Sequence, residues 1–133
     1  MWNYILISIV SGILFGFLDG LLNANPLARR LMAVYQPIAR TSINIPAGIF
    51  IDLAYGFALA GLFLLLRDSL PGASGLLKGL SYGGILWFLR VVMYGLSHWI
   101  TFKVPAATLL YTLAAGLVEM LALGILYGLT LIP

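Results

Sequence analysis

Cysteine is absent from all 133 residues. That excludes disulfides, thiolate metal sites and iron–sulfur clusters, and it leaves the redox compartment unreadable. Charge is scarce as well. Only 8% of the chain is Asp, Glu, Lys or Arg, where a soluble domain carries roughly 25%, so these residues cannot clothe a water-facing surface. A single histidine rules out bis-histidine haem within one chain, and without HxxH or ExxH spacing it is a poor metal signature. No G-x-S-x-G or Ser/His/Asp set is present, and "GASGLLKG" lacks the G-K-[ST] ending of a phosphate loop. No metal or other cofactor is expected, and a membrane enzyme is the weakest functional class.

Apolar surface is what the chain has in quantity. Hydrophobic residues make up 62%, and the mean hydropathy is +1.09. A hydrocarbon core of about 30 Å needs roughly 20 helical residues per crossing, and the apolar runs far exceed the roughly 10 residues of a barrel strand. The expected fold is an all-α integral membrane protein, a four-transmembrane-helix bundle forming one domain over residues 1–133. Crossings fall at about 2–23, 47–66, 77–101 and 106–132, with an interfacial segment at 25–45. "MWNYILISIV" shows neither a positive n-region nor an A-x-A cleavage pattern, so it reads as a retained first crossing.

Within the interfacial segment, Asn25 followed by Pro26 is a helix start. Leu27, Leu31 and Val34 share one face of that short helix. Arg29 and Arg30 lie off it and, with Arg40, are expected among lipid headgroups; an ordinary polar loop is the alternative. The first and third loops carry Arg29, Arg30, Arg40 and Lys103, against Arg67 and Lys78 on the opposite face. By the positive-inside rule both termini are then expected outside the cytoplasm, in a bacterial or archaeal inner membrane. The pI near 9.5 thus reports orientation in a bilayer, and no nucleic-acid partner is expected.

A faint repeat runs through the chain. "GILFG" opens the first crossing as "GLSYG" opens the third, and "PAGIF" opens the second as "PAATL" opens the fourth. Two helical hairpins of the same topology would be parallel repeats. Small residues four apart also let helix backbones approach in lipid. Gly12, Gly16 and Gly20 mark such a stripe on the first crossing, Gly48 and Gly56 on the second, and Gly79 and Gly83 on the third.

Each crossing places an ionisable residue on or beside its small-residue stripe, which turns the charges inward. Counting 1.5 Å per residue from the face of the first and third loops puts Asp19 roughly 7 Å deep and Asp52 roughly 9 Å. On the same count His98 is roughly 5 Å deep, Arg90 roughly 17 Å and Glu119 roughly 21 Å. Two groups follow: a midplane ion pair, Arg90 with Glu119, and a shallower polar cluster of Asp19, Asp52 and His98. Unpaired charges cost about 2.5–3.5 kcal/mol each at a helix centre, so the midplane pair either fixes packing or serves transport. Two carboxylates close together cannot both ionise easily, so Asp19 and Asp52 are suited to proton exchange, or equally to reaching the loop arginines. Trp87, Tyr94 and Ser97 are candidate cavity-lining residues, while Trp2, Tyr4, Tyr35, Trp99 and Phe102 fit interfacial aromatic belts.

The leading functional expectation is an oligomeric proton, ion or small-solute channel or transporter that uses the intramembrane carboxylates. Four tightly packed helices leave little room for a pathway, so this expectation calls for a homo-oligomer. The alternative is a non-catalytic structural or assembly subunit packed against other membrane proteins.

Overall fold

The computed structural model describes residues 2–39, 42 and 44–132. Arg40, expected among the headgroups, lies outside the described residues. In chain order the elements are α1 (Trp2–Ala24), α2 (Pro26–Leu31), a 3₁₀ turn (Ala33–Ile38), α3 (Ile45–Leu66), α4 (Gly75–Leu86), a π turn (Trp87–Val92), α5 (Met93–Thr101) and α6 (Ala106–Thr130). α4, the π turn and α5 form one continuous crossing, and with α1, α3 and α6 they give four helices long and apolar enough to span a membrane. The protein is an all-α four-helix membrane bundle.

Side-chain caps set several of the boundaries. The Asn25 Oδ1 accepts from the Ala28 N–H at 2.8 Å, with Pro26 in the first turn of α2. Asn44 accepts from Ala47 at 3.1 Å, so α3 begins at Ile45 and Pro46 sits within the first turn, where its missing N–H costs nothing. Ser74 accepts from Leu77 at 3.2 Å and starts α4 at Gly75. Gly72 turns the preceding loop with φ +128°, a conformation that favours glycine.

The helices pack as two tight hairpins, α1 with α3 and α4 with α6, and α1 meets α6 between them. Glycine carries both seams. A Cβ on Gly12 would lie 2.8 Å from the Asp52 carbonyl oxygen, and one on Gly56 would lie 2.7 Å from the Gly12 nitrogen. In the second hairpin Gly79 opposes Gly124, Gly75 opposes Gly128, and a Cβ on Gly83 would lie 2.7 Å from the Met120 carbonyl oxygen.

Gly20 and Gly48 depart from the expected stripe. A Cβ on either would touch nothing within 4 Å. Both stand at the loop end of the first hairpin, where α1 and α3 splay. Gly12 meets α3 backbone, Gly16 meets only the Asp52 side chain, and Gly20 meets nothing. The glycine spacing continues along α1, but the partner helix diverges from it.

The loop after α1 is stitched to α6. The Tyr111 hydroxyl donates to the Leu22 carbonyl and accepts from Asn25 Nδ2, while Thr108 Oγ1 donates to the Leu31 carbonyl. Ala28 is fully buried, and Leu31, Met32 and Tyr35 are partly covered; Leu27, Val34, Arg29 and Arg30 are exposed. The face turned into the protein is therefore rotated by one residue from the one expected of Leu27, Leu31 and Val34. Tyr111→Phe removes both bonds of the hydroxyl, and a lost hydrogen bond costs about 1–2 kcal/mol when it strands a partner. Thermal unfolding in detergent should show the corresponding fall; an unchanged midpoint would mean the stitch contributes nothing.

At the opposite end the bundle is closed by aromatic packing. Phe63, Tyr82 and Tyr127 bring ring centroids within 5.2–6.1 Å of one another, and the Tyr82 hydroxyl donates to the Leu59 carbonyl at 2.6 Å. All three side chains are fully buried, as are Met120 and Leu123.

Candidate functional site

A cavity of about 490 Å³ lies between the two hairpins, on the side of the bundle bearing the first and third loops. Its outer wall includes Asn23 and Met32, and its inner wall is formed by Val91, Ala115, Gly116 and Glu119. It lies where α1 and α3 splay, with the π turn, α5 and α6 forming the facing wall. Beyond Glu119 the interior is filled by Met120, Leu123 and the aromatic cluster. The cavity is a vestibule that does not continue past Glu119 toward the opposite face.

Arg90 reaches it from the π turn. The Trp87 N–H is shared between the Gly83 and Gly84 carbonyls, and the wider turn inserts an extra residue into the helical period. The buried stripe of this crossing accordingly runs Gly79, Tyr82, Gly83, Leu86 and then steps five residues to Val91 and on to Gly95. Val91 fills the notch at Gly116, where a Cβ would lie 2.5 Å from its side chain. The Arg90 guanidinium then extends across to the first hairpin. Its Cζ lies 5.0 Å from the Phe15 ring centroid and 4.9 Å from that of Tyr55. A desolvated cation–π contact is worth about 2 kcal/mol, so this arginine holds the two hairpins together. Its Nε is buried without a hydrogen-bond partner.

Glu119 is only 4% exposed, and it faces the cavity. The Asp19 carboxyl lies against it, with Arg90 and Asp52 near enough to interact electrostatically. Asp19 is itself oriented by Asn23, whose Nδ2 donates to Asp19 Oδ1 and to the Asp19 carbonyl, both at 2.9 Å. Two facing carboxyls repel one another when both are ionised.

The expected groups are thereby rearranged. Arg90 and Glu119 share the cavity, but no direct hydrogen bond joins them, because the π turn directs the guanidinium onto rings of the first hairpin. Asp19 lies against Glu119 and stays near enough to Asp52 to interact electrostatically, whereas His98 stands apart from these carboxyls. Asp52 stands in the splayed seam of α1 and α3, its Oδ2 over Gly16, and opens into an outer groove with Ile13, Phe17 and Ile49. His98 stacks along its own crossing, with ring centroids 4.2 Å from Tyr94 and 5.4 Å from Phe102. Among the described residues no group of three His, Asp or Glu side chains is arranged to hold a metal.

Of the candidate lining residues, Tyr94 stands at the cavity rim. Ser97 is exposed, rotated away because the π turn advances the helical face by one residue. Trp87 is spent on α6, where its Nε1 donates to the Leu113 carbonyl at 2.8 Å. Among the expected belt residues, Trp2, Trp99 and Phe102 are exposed, whereas the Tyr4 hydroxyl turns inward to the Phe57 carbonyl.

Phe15, Tyr55 and Thr112 were not anticipated. Phe15 stands one turn before Asp19 and Tyr55 roughly one turn after Asp52, so an aromatic at helical spacing from a buried charge is the signal that was there to read. The depth count also overstated the distance from Asp19 to Glu119. Tyr111 lies level with Leu22, so α6 projects past the end of α1 and the two helix ends are not a common baseline. Comparison with protein-family models, with curated proteins and with solved structures finds no match to this chain.

Proposed function

We propose that this protein is a membrane carrier in which the Asp19–Glu119 carboxyl pair exchanges a proton for a cationic group entering the vestibule. The observation that carries this reading is Glu119, buried yet facing a cavity with Asp19 against its carboxyl. Intramembrane ionisable residues that face a cavity mark solute or proton pathways as a rule. The filled interior beyond Glu119 favours a carrier that alternates between two states over an open pore. The lining residues come from one chain, so a homo-oligomer, although the commonest arrangement for such proteins, is not needed to supply them. By the excess of basic residues on the vestibule side, that side faces the cytoplasm.

The test is reconstitution. Purified protein in liposomes should move protons when a gradient of a small organic ammonium such as ethanolamine is imposed, and proton flux no greater than in protein-free liposomes would overturn the proposal.

One observation favours the alternative of an assembly subunit. The outer groove beside Gly16 exposes Phe17 and Ile49 around the Asp52 carboxyl, a surface onto which another membrane helix could pack. That role requires co-purification with a second membrane protein at fixed stoichiometry.

A further inference from the structure

The cavity presents unsatisfied groups of both signs. Arg90 contacts rings on two helices, but its guanidinium donates to no protein acceptor among the described residues, and Nε is wholly buried. Glu119 is buried to the same degree as the core, and the polar group against its carboxyl is the Asp19 carboxyl, not a cation. Had these two closed on each other, the vestibule would be electrostatically satisfied and inert. The π turn prevents that closure by holding the guanidinium against Phe15 and Tyr55, so donors and acceptors remain available on separate walls of one space.

A single ligand completes both only if it carries an anion and a cation a few bonds apart. We infer that the vestibule binds an amphoteric molecule, its oxyanion on the Arg90 guanidinium and its ammonium group between Asp19 and Glu119. Guanidinium recognises carboxylate and phosphate through paired N–H donors. Two carboxyls recognise an ammonium group, which takes the place of the proton that otherwise lies between them. Tyr55 and Tyr94 supply ring faces to the same space, and aromatic faces attract an ammonium group further. At about 490 Å³ the cavity lies within the range of roughly 300–1,000 Å³ typical of small-molecule sites. The same chemistry is offered by a free amino acid-like solute and by the headgroup of an aminophospholipid. This inference rests on the proposed role of the vestibule as a binding site for transport.

Titration calorimetry on the native protein in detergent tests it, with phosphoethanolamine, ethanolamine and inorganic phosphate as probes. Phosphoethanolamine should bind at least about tenfold more tightly than either half, since each charge-assisted contact is worth that factor or more. Arg90→Gln should bring phosphoethanolamine down to the affinity of ethanolamine, and Asp52→Asn, outside the cavity, should leave the ranking unchanged. In native mass spectrometry, preferential retention of phosphatidylethanolamine over phosphatidylglycerol identifies a lipid source; phosphoethanolamine binding without that preference identifies a free solute. Ethanolamine or phosphate binding as tightly as the combined molecule overturns the inference, and so does failure of every soluble probe together with no lipid preference. Proton flux that persists in that last case leaves the carrier proposal standing, whereas binding without flux removes the carrier and keeps the site.

Discussion

Gly124→Val should cost about 3 kcal/mol, the upper end of overpacking penalties, and separate the second hairpin. A side chain on Gly124 would project into the Gly79 carbonyl, and a side chain on Gly79 into the Gly124 carbonyl. Backbone stands on both sides, so no rotamer change relieves the clash, and the helices must move apart along a seam that also holds Gly75–Gly128 and Gly83–Met120. Without a hydrophobic force between helices in lipid, that close approach is most of what binds them. Two comparisons isolate the cause. Gly20→Ala meets open space and should be neutral or stabilising by up to about 1 kcal/mol through helix propensity. Gly16→Ala would place a Cβ 2.6 Å from Asp52 Oδ2, the far end of a flexible side chain, so Asp52 turns aside at little cost. Thermal or denaturant unfolding in detergent ranks all three, and a Gly124→Val protein as stable as Gly20→Ala would refute the seam.

Glu119→Gln should reduce gradient-driven proton flux to the level of protein-free liposomes. Glutamine keeps the volume and the polar atoms of Glu119 but cannot exchange a proton, so the pair with Asp19 loses the step that couples proton to cation. The effect is separable from damage to the fold. Replacing a buried carboxyl with an amide removes a desolvation cost and the repulsion from Asp19, so Glu119→Gln should unfold no earlier than the native protein. Asp19→Asn should abolish flux in the same way, while Asp52→Asn should retain most of it, because Asp52 lies in the outer groove. Equal loss in all three would mean that general acidity, not the vestibule pair, governs transport.

Much of the fold was legible because bilayer thickness and backbone hydrogen bonding leave few choices. Four apolar runs could only be helices, the Asn25–Pro26 start is local chemistry, and Gly79 and Gly83 carry a packing signal that needs no knowledge of the partner. The site was legible only in part. Arg90 and Glu119 were assigned to neighbouring positions from depth and topology, and they do share a cavity. The contact of Asp19 with Glu119 was not legible, because it depends on the stagger of α6 against α1, which Tyr111 sets from a distance of 89 residues in sequence. Nor was the π turn, since "WFLRVV" contains neither Gly nor Pro to announce it. That turn alone displaces Ser97 outward and sends Arg90 to Phe15 and Tyr55. The aromatic closure was equally hidden, for Phe63, Tyr82 and Tyr127 come from three separate crossings.

The vestibule ends at Glu119, and the absence of native cysteine makes access to it from each side of the membrane directly measurable. Thr112→Cys places a single thiol on the cavity wall, Leu123→Cys places one in the closed interior, and Gln36→Cys and Ser69→Cys mark the two faces of the membrane. With a membrane-impermeant thiol reagent applied to oriented vesicles, Thr112→Cys should be modified only from the side that modifies Gln36→Cys, and Leu123→Cys from neither. Modification of Thr112→Cys from the Ser69→Cys side, or from no side at all, would contradict the vestibule.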